Sequence, residues 1–166
     1  MKIIVCGMDN TGKTTLCNSL SAKTGFEIIR IGGPEYSRES MMDDTLLYLN
    51  DWRSVIFERF PIFEEMVYGK ILRGRSKFNY SDIESIRKYK PVIIYCRPSD
   101  NVIFNFGHRE QMKGVIEQKE KLLKEWDNLI LDTITGFKII KFDYTKDRLG
   151  NLLSGGIRNE YYTRDE

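Results

Sequence analysis

Charge of one sign is scarce in this chain: 26 lysines and arginines face 24 acidic residues, a net charge of +2. Such a balance offers no broad attraction to nucleic acid or to a membrane surface, so any anion site has to be local. Long apolar runs are lacking too. The opening MKIIVCG is too short for a signal segment or a membrane span, and no later stretch reaches the length needed. Cysteine is sparse, and Cys6, Cys17 and Cys96 are widely separated in apolar or helical settings without metal-ligand spacing. They read as reduced core thiols of a cytoplasmic protein. His108 is the only histidine, and the chain shows no internal repeat, low-complexity tract or linker. At 166 residues it is long enough for one well-buried core and too short for two ordinary domains, so the reading is a single domain over 1–166.

What is present is concentrated in the first fifteen residues, MKIIVCGMDNTGKTT. Gly7, Gly12, Lys13 and Thr14 satisfy G-x-x-x-x-G-K-[ST] without a gap. Glycines let backbone N–H groups turn inward, and the helix that starts at Lys13 aims its positive end at the same point, which suits a polyphosphate. Lys13 would reach the β- and γ-phosphates, and Thr14 would place its hydroxyl on Mg²⁺. Asn10, Gly12, Thr11 and Thr15 complete the phosphate cradle. Ile3 to Val5 form a buried-strand run before the loop. Leu16, Leu20 and Ala22 give the following helix an inward face.

Strand-like and helix-like runs alternate along the rest of the chain, the signature of an α/β fold with a parallel sheet covered by helices on both faces. The strands are predicted at Lys2–Cys6, Glu27–Ile31, Ser54–Phe57, Pro91–Cys96 and Phe137–Phe142. Helices are predicted at Lys13–Thr24, Ser37–Asn50, Ile62–Leu72, Ser81–Tyr89 and Lys113–Asp132, with Ser81 and Glu84 as a capping box. The last helix carries Val115, Ile116, Leu122, Leu123, Trp126, Leu129 and Ile130 on one stripe, as core or a dimer face. Ligands of such sheets sit beyond the carboxyl ends of the strands. There the third strand offers Glu58 and Arg59, an acid to organise Mg²⁺ beside a cation to clamp an acceptor phosphate.

GMDNTGKTT, then IRIGGPE, then FERFP with VYGKILRG, then a Gln-Met-Lys-Gly stretch, together resemble the thymidylate-kinase-like nucleoside monophosphate kinases in the compact form often carried by phages. The resemblance covers nearly the whole chain. It implies a P-loop NTPase fold with a five-stranded parallel sheet and a short lid at about 105–113, and transfer of the γ-phosphoryl group of ATP to a (deoxy)nucleoside 5′-monophosphate, dTMP foremost. It also implies small nucleotide substrates rather than nucleic acid, and dimerisation through helices. Asp9 matches the acidic residue such kinases place inside the loop, facing the acceptor. Glu58 and Arg59 match the strand-end Asp-Arg pair, with the acid one methylene longer. That departure resembles the Glu-Arg pair of deoxynucleoside kinases, which keeps a nucleoside 5′-hydroxyl open as acceptor with Glu35 as its base. Gly32 and Gly33 match a Gly-Gly turn of thymidylate kinases and favour the monophosphate.

A kinase must exclude water from the reacting phosphate. NFGHREQMK, residues 105–113, is placed to be that cover, and Arg109 is the candidate for meeting the transferred phosphoryl group, because Asn10 stands where some family members carry an arginine. Arg97 and Lys113 are further candidates. Tyr68 and Arg73 are the expected acceptor contacts, with Phe60 and Trp52 as other aromatics able to stack on a base, and Arg30 and Arg38 as further anion contacts. The loop Asp143 to Asp147, with Tyr144, is where the donor base would lie. A nucleotide-binding protein without transfer, a switch or an inhibitor, is the reading from a different class.

Overall fold

In the computed structural model, which describes residues 1–105 and 113–157, five strands form one parallel sheet in the order β2-β3-β1-β4-β5. The strands are β1 (Lys2–Cys6), β2 (Glu27–Ile29), β3 (Val55–Glu58), β4 (Val92–Cys96) and β5 (Lys138–Phe142). Helices α1 (Lys13–Thr24), α2 (Arg38–Asn50), α3 (Pro61–Glu64), α4 (Lys70–Arg73), α5 (Tyr80–Arg87), α6 (Asp100–Asn105), α7 (Lys119–Asp127) and α8 (Leu149–Asn151) connect and cover them. The central β1 pairs with β3 from Lys2 opposite Val55 to Val5 opposite Glu58, and with β4 from Ile3 opposite Val92 to Cys6 opposite Tyr95.

Because strand side chains alternate, each face of the sheet builds its own core. Ile4, Cys6, Val55, Phe57, Ile93 and Tyr95 pack under α2, α3, α5 and α7. Ile3, Val5, Ile56, Ile94 and Cys96 pack under α1, through Leu16, Cys17 and Leu20, and under Leu152, which follows α8. The inner strands β1, β3 and β4 are buried throughout, as strands covered on both faces must be, whereas β5 exposes Lys138 and Lys141 at the sheet edge.

Several predicted boundaries move for local reasons. Ala22 is exposed and Cys17 fills the inward face of α1 instead. The capping box of α5 is formed by Asn79, whose side chain accepts from Ser81 N at 2.8 Å, and Asp82, which accepts from Asn79 N at 2.8 Å. The helix therefore starts one residue before the predicted Ser81. The helix after β3 runs from α3 into α4 through a wider turn over Glu65–Gly69, with five-residue hydrogen bonding. Residues 113–118 form turns rather than the start of a long helix, and Ile116 is exposed. The remainder of that stripe, Val115, Leu122, Leu123, Trp126, Leu129 and Ile130, lies in the core and so is spent inside the chain rather than on a dimer face. No helix among the described residues is long and apolar enough to cross a membrane.

The two tryptophans occupy opposite extremes: Trp126 is fully buried against Tyr68 and Tyr95, while Trp52, in the turn before β3, is 91% exposed. Trp126→Ala is expected to cost about 3–5 kcal/mol of stability in urea unfolding, and Trp52→Ala to stay within about 0.5 kcal/mol of the parent.

Candidate active site

The loop between β1 and α1 takes its shape from two close approaches. Gly7, at φ +134°, lies so near β4 that a Cβ there would stand 2.5 Å from Cys96 O, and Gly12, at φ +84°, lies under the Tyr144 ring. Asn10 also adopts a left-handed conformation, at φ +62°. Thr11 donates to Met8 O at 2.7 Å and holds the loop closed from within. The Lys13 ammonium is buried and donates to Gly7 O at 2.7 Å and Met8 O at 2.6 Å, curled over the loop that it would leave for a phosphate.

The β1–β3 register sets Glu58 beside Val5, so its carboxylate meets the first turn of α1: Thr14 Oγ1 donates to Glu58 Oε1, and the Arg30 guanidinium lies 2.6 Å from Oε2. A hydroxyl and a carboxylate in contact beside a phosphate loop form a hard-oxygen pair that fits Mg²⁺, which is usually held by one or two such groups together with phosphate oxygens and water. Immediately after β3 the backbone of Arg59 turns left-handed, at φ +62°, and its guanidinium swings back to within 3.6 Å of Asp9 Oδ1.

Two of the cavities at this edge of the sheet share Arg59. The larger, about 520 Å³, is lined by Asn10, Gly12, Lys13, Thr14, Thr15, Arg59 and Tyr144, with Leu16, Phe142 and Leu149 as apolar walls. The smaller, about 80 Å³, lies between the loop after β2 and the helix after β3, and includes Gly32, Gly33, Arg59, Glu64, Glu65, Tyr68 and Arg73. Arg59 lines both. Asp9 lies buried between Lys13, 4.0 Å away, and Arg59.

Other predicted residues are placed elsewhere. Arg97 turns from the larger cavity because Asp127 takes its Nε at 2.8 Å and its Nη2 at 2.9 Å, and Asp100 its Nη1 at 2.7 Å. It is therefore a structural cation, joined by the Tyr95 hydroxyl, which donates to Asp127 at 2.8 Å. Arg38 is held by Asp82 and by the face of Phe78, and Trp52 lies far from both cavities at the opposite end of β3. Phe60 is wholly buried. Tyr68 is buried as well, its hydroxyl accepting from Asp9 N at 3.1 Å, so it forms a wall of the smaller cavity rather than a free stacking plane. Arg109 and His108, with the rest of 106–112, lie outside the described residues.

The sequence reading missed Glu64 and Glu65. Their signal was two adjacent acids in the otherwise apolar run PIFEEMVY, on a helix whose surroundings are almost all core. Arg73 pairs with Glu65 at 2.5 Å across Gly69, whose missing side chain leaves the space: a Cβ there would stand 2.9 Å from Glu65 Oε2 and from Arg75 O. Burial pushes the Glu64 carboxyl up from 4.5 to about 7, with Lys13 and Arg59 opposing the rise and Asp9 and Glu65 adding to it.

The folded chain therefore holds the Glu64 proton more tightly than the unfolded chain does. Its stabilising effect is complete below about 4.5 and is lost as pH rises through about 7. Glu64→Gln should consequently be more stable than the parent by roughly 3 kcal/mol at pH 8. The difference should fade by about pH 4 in parallel urea titrations.

No family model and no curated protein matches the chain. Among solved structures it is similar to the YorR protein of Bacillus subtilis in complex with phosphorylated GDP, at 19% identity and TM-score 0.72 over 88% of this chain and 87% of that one. It is also similar to the deoxyadenosine kinase of M. mycoides with bound dATP, at 19% identity and TM-score 0.57 over 89% and 93%. A gluconokinase from Sinorhizobium meliloti matches at 12% identity and TM-score 0.56 over 92% and 86%. At these identities the likeness speaks for architecture, and with the parallel sheet and the loop geometry it shows that the chain has the α/β P-loop NTPase fold of these structures.

Proposed function

We propose that the protein transfers the γ-phosphoryl group of ATP, with Mg²⁺, to a (deoxy)nucleoside 5′-monophosphate. One observation carries the reading: Arg59 stands in the wall shared by a cavity built on the phosphate loop and a second, smaller cleft. A phosphoryl group leaving the first for an acceptor in the second passes that guanidinium, which can pair with donor and acceptor phosphate oxygens and offset charge in transit. Lys13, drawn from Gly7 and Met8 carbonyls onto the phosphates, would supply the second cation. Thr14 and Glu58 would hold Mg²⁺, whose contribution is to neutralise phosphate charge. Asp9, between Lys13 and Arg59, would hold both in place at the larger cavity. Arg73, braced by Glu65, adds a further cation to the acceptor cleft and favours an anionic acceptor. Tyr144 over Gly12 would form one wall of the donor site. Arg109 would supply a cation from the lid at 105–113, and the resemblance names dTMP as acceptor.

A nucleoside 5′-hydroxyl is the second reading, and Glu64 favours it, because a carboxyl titrating near 7 in the acceptor cleft is suited to take a hydroxyl proton. Glu35 is exposed, with its carboxylate folded back against Gly33.

An ADP-release assay with Mg·ATP and a panel of nucleosides and 5′-monophosphates separates the readings. Turnover of monophosphates alone is expected. Turnover of nucleosides alone would move the assignment to the hydroxyl acceptor, and binding without turnover would leave a nucleotide-binding protein. Lys13→Ala should lower kcat/KM by about a thousandfold. Arg59→Ala should lower monophosphate use by about 100- to 1000-fold while changing ATP affinity far less.

A further inference from the structure

The acceptor cleft holds more hydrogen-bond acceptors than its own donors satisfy. Glu64 Oε1 is buried and meets no hydrogen-bond donor among the described residues. Glu65 Oε2 and both Asp9 oxygens are in the same condition, although Asp9 has Arg59 and Lys13 within ion-pair reach. Unpaired buried carboxylate oxygens are costly, and a cluster of them facing a cleft points to a ligand that brings the missing N–H or O–H groups.

These carboxylates differ in position. Asp9 belongs to the phosphate loop, and its oxygens are answered electrostatically by Lys13 and Arg59. Glu65 has given one oxygen to Arg73, and its other is packed against Gly69. Glu64 lines this cleft together with the glycine turn after β2 and the apolar side chains of Ile31, Met41, Pro61 and Tyr68. An acceptor base at the mouth of this cleft can turn its hydrogen-bonding edge to Glu64.

Resting on the acceptor reading above, we propose that the acceptor nucleotide carries a base with an exocyclic amino group, donated to Glu64, and that thymine and uracil nucleotides are the poorer acceptors. Adenine, cytosine and guanine each bring an N–H₂ group that a carboxylate oxygen can accept. Thymine and uracil bring one ring N–H flanked by two carbonyls, so a carboxylate that takes that proton is set against a carbonyl oxygen. The inference departs from the dTMP acceptor that the sequence resemblance names.

The test uses the full chain at pH 8, where an ionised Glu64 accepts only. Dissociation constants and, where turnover occurs, kcat/KM are measured for dAMP, dCMP, dGMP, dTMP and dUMP with the parent and Glu64→Gln. In the parent, at least one amino-bearing nucleotide is expected to exceed both dTMP and dUMP by about 100-fold. Glu64→Gln, whose amide offers a donor as well as an acceptor, should narrow that ratio to about tenfold or less, with ATP-analogue binding as the check on folding. A parent that favours dTMP or dUMP, that ranks all five within about threefold, or that binds none of them overturns the proposal, and so does an unchanged ratio in Glu64→Gln. If only nucleosides turn over, the monophosphate reading fails by itself. The ranking of deoxyadenosine, deoxycytidine and deoxyguanosine against thymidine and deoxyuridine then decides the base inference.

Discussion

The parallel pairing of β1 with β3 is the constraint on which the rest of the site depends. Four residue pairs, ending with Val5 opposite Glu58, fix how far the third strand extends before it must leave the sheet. At that register the last strand carboxylate lands on the first turn of α1, where Thr14 donates to it, and the next residue has to turn sharply. Arg59 makes that turn in a left-handed conformation, an uncommon backbone state for a residue with a side chain. A register one residue different would send Glu58 to the opposite face of the sheet and leave Thr14 and Arg30 without their common acceptor.

Charged groups fall into two populations around this frame. Those that serve the fold are fully answered: the Lys2 ammonium donates to the carbonyls of Tyr48, Asp51 and Arg53 at 2.5–2.8 Å and ties down the end of α2. Arg97, Asp127 and Tyr95 close a network of their own on β4 and α7. The carboxylates of Asp9, Glu64 and Glu65, by contrast, keep oxygens without hydrogen bonds; Glu64 and Glu65 line the smaller cavity, and Asp9 stands beside Arg59, which lines both. Stability does not account for that placement, since each could be relieved by a neutral side chain of the same shape.

How much of this was legible depends on how local each signal is. The phosphate loop was readable because its glycines, Lys13 and Thr14 are contiguous and their chemistry follows from spacing alone. The strands were readable because β1, β3 and β4 are buried on both sides and appear as unbroken apolar runs. Glu58 and Arg59 were readable as strand-end residues, although that Arg59 faces two cavities came only from its backbone turn. That Arg97 is ion-paired could not be foreseen because its partner, Asp127, lies thirty residues later on another element. Glu64 and Glu65 escaped notice because the wide turn over Glu65–Gly69 alters which helical positions face the cleft, and a 3.6-residue period does not anticipate that. The long amphipathic helix was overextended because Gly114, at φ +88°, favours a turn where the apolar stripe continued in the sequence.

The thiols bear on how this architecture can be observed. Cys6 and Cys96 end the two strands that meet beneath the phosphate loop, one facing each side of the sheet, and Cys17 lies on the helix that follows the loop. All are buried, and burial raises the thiol of each above its ordinary range, so the reactive thiolate is suppressed in the folded chain. Alkylation at neutral pH thus has to wait for the central strands or α1 to part. Its rate becomes an intrinsic clock for the opening of the nucleotide-binding half of the sheet, written into the native sequence without an added label.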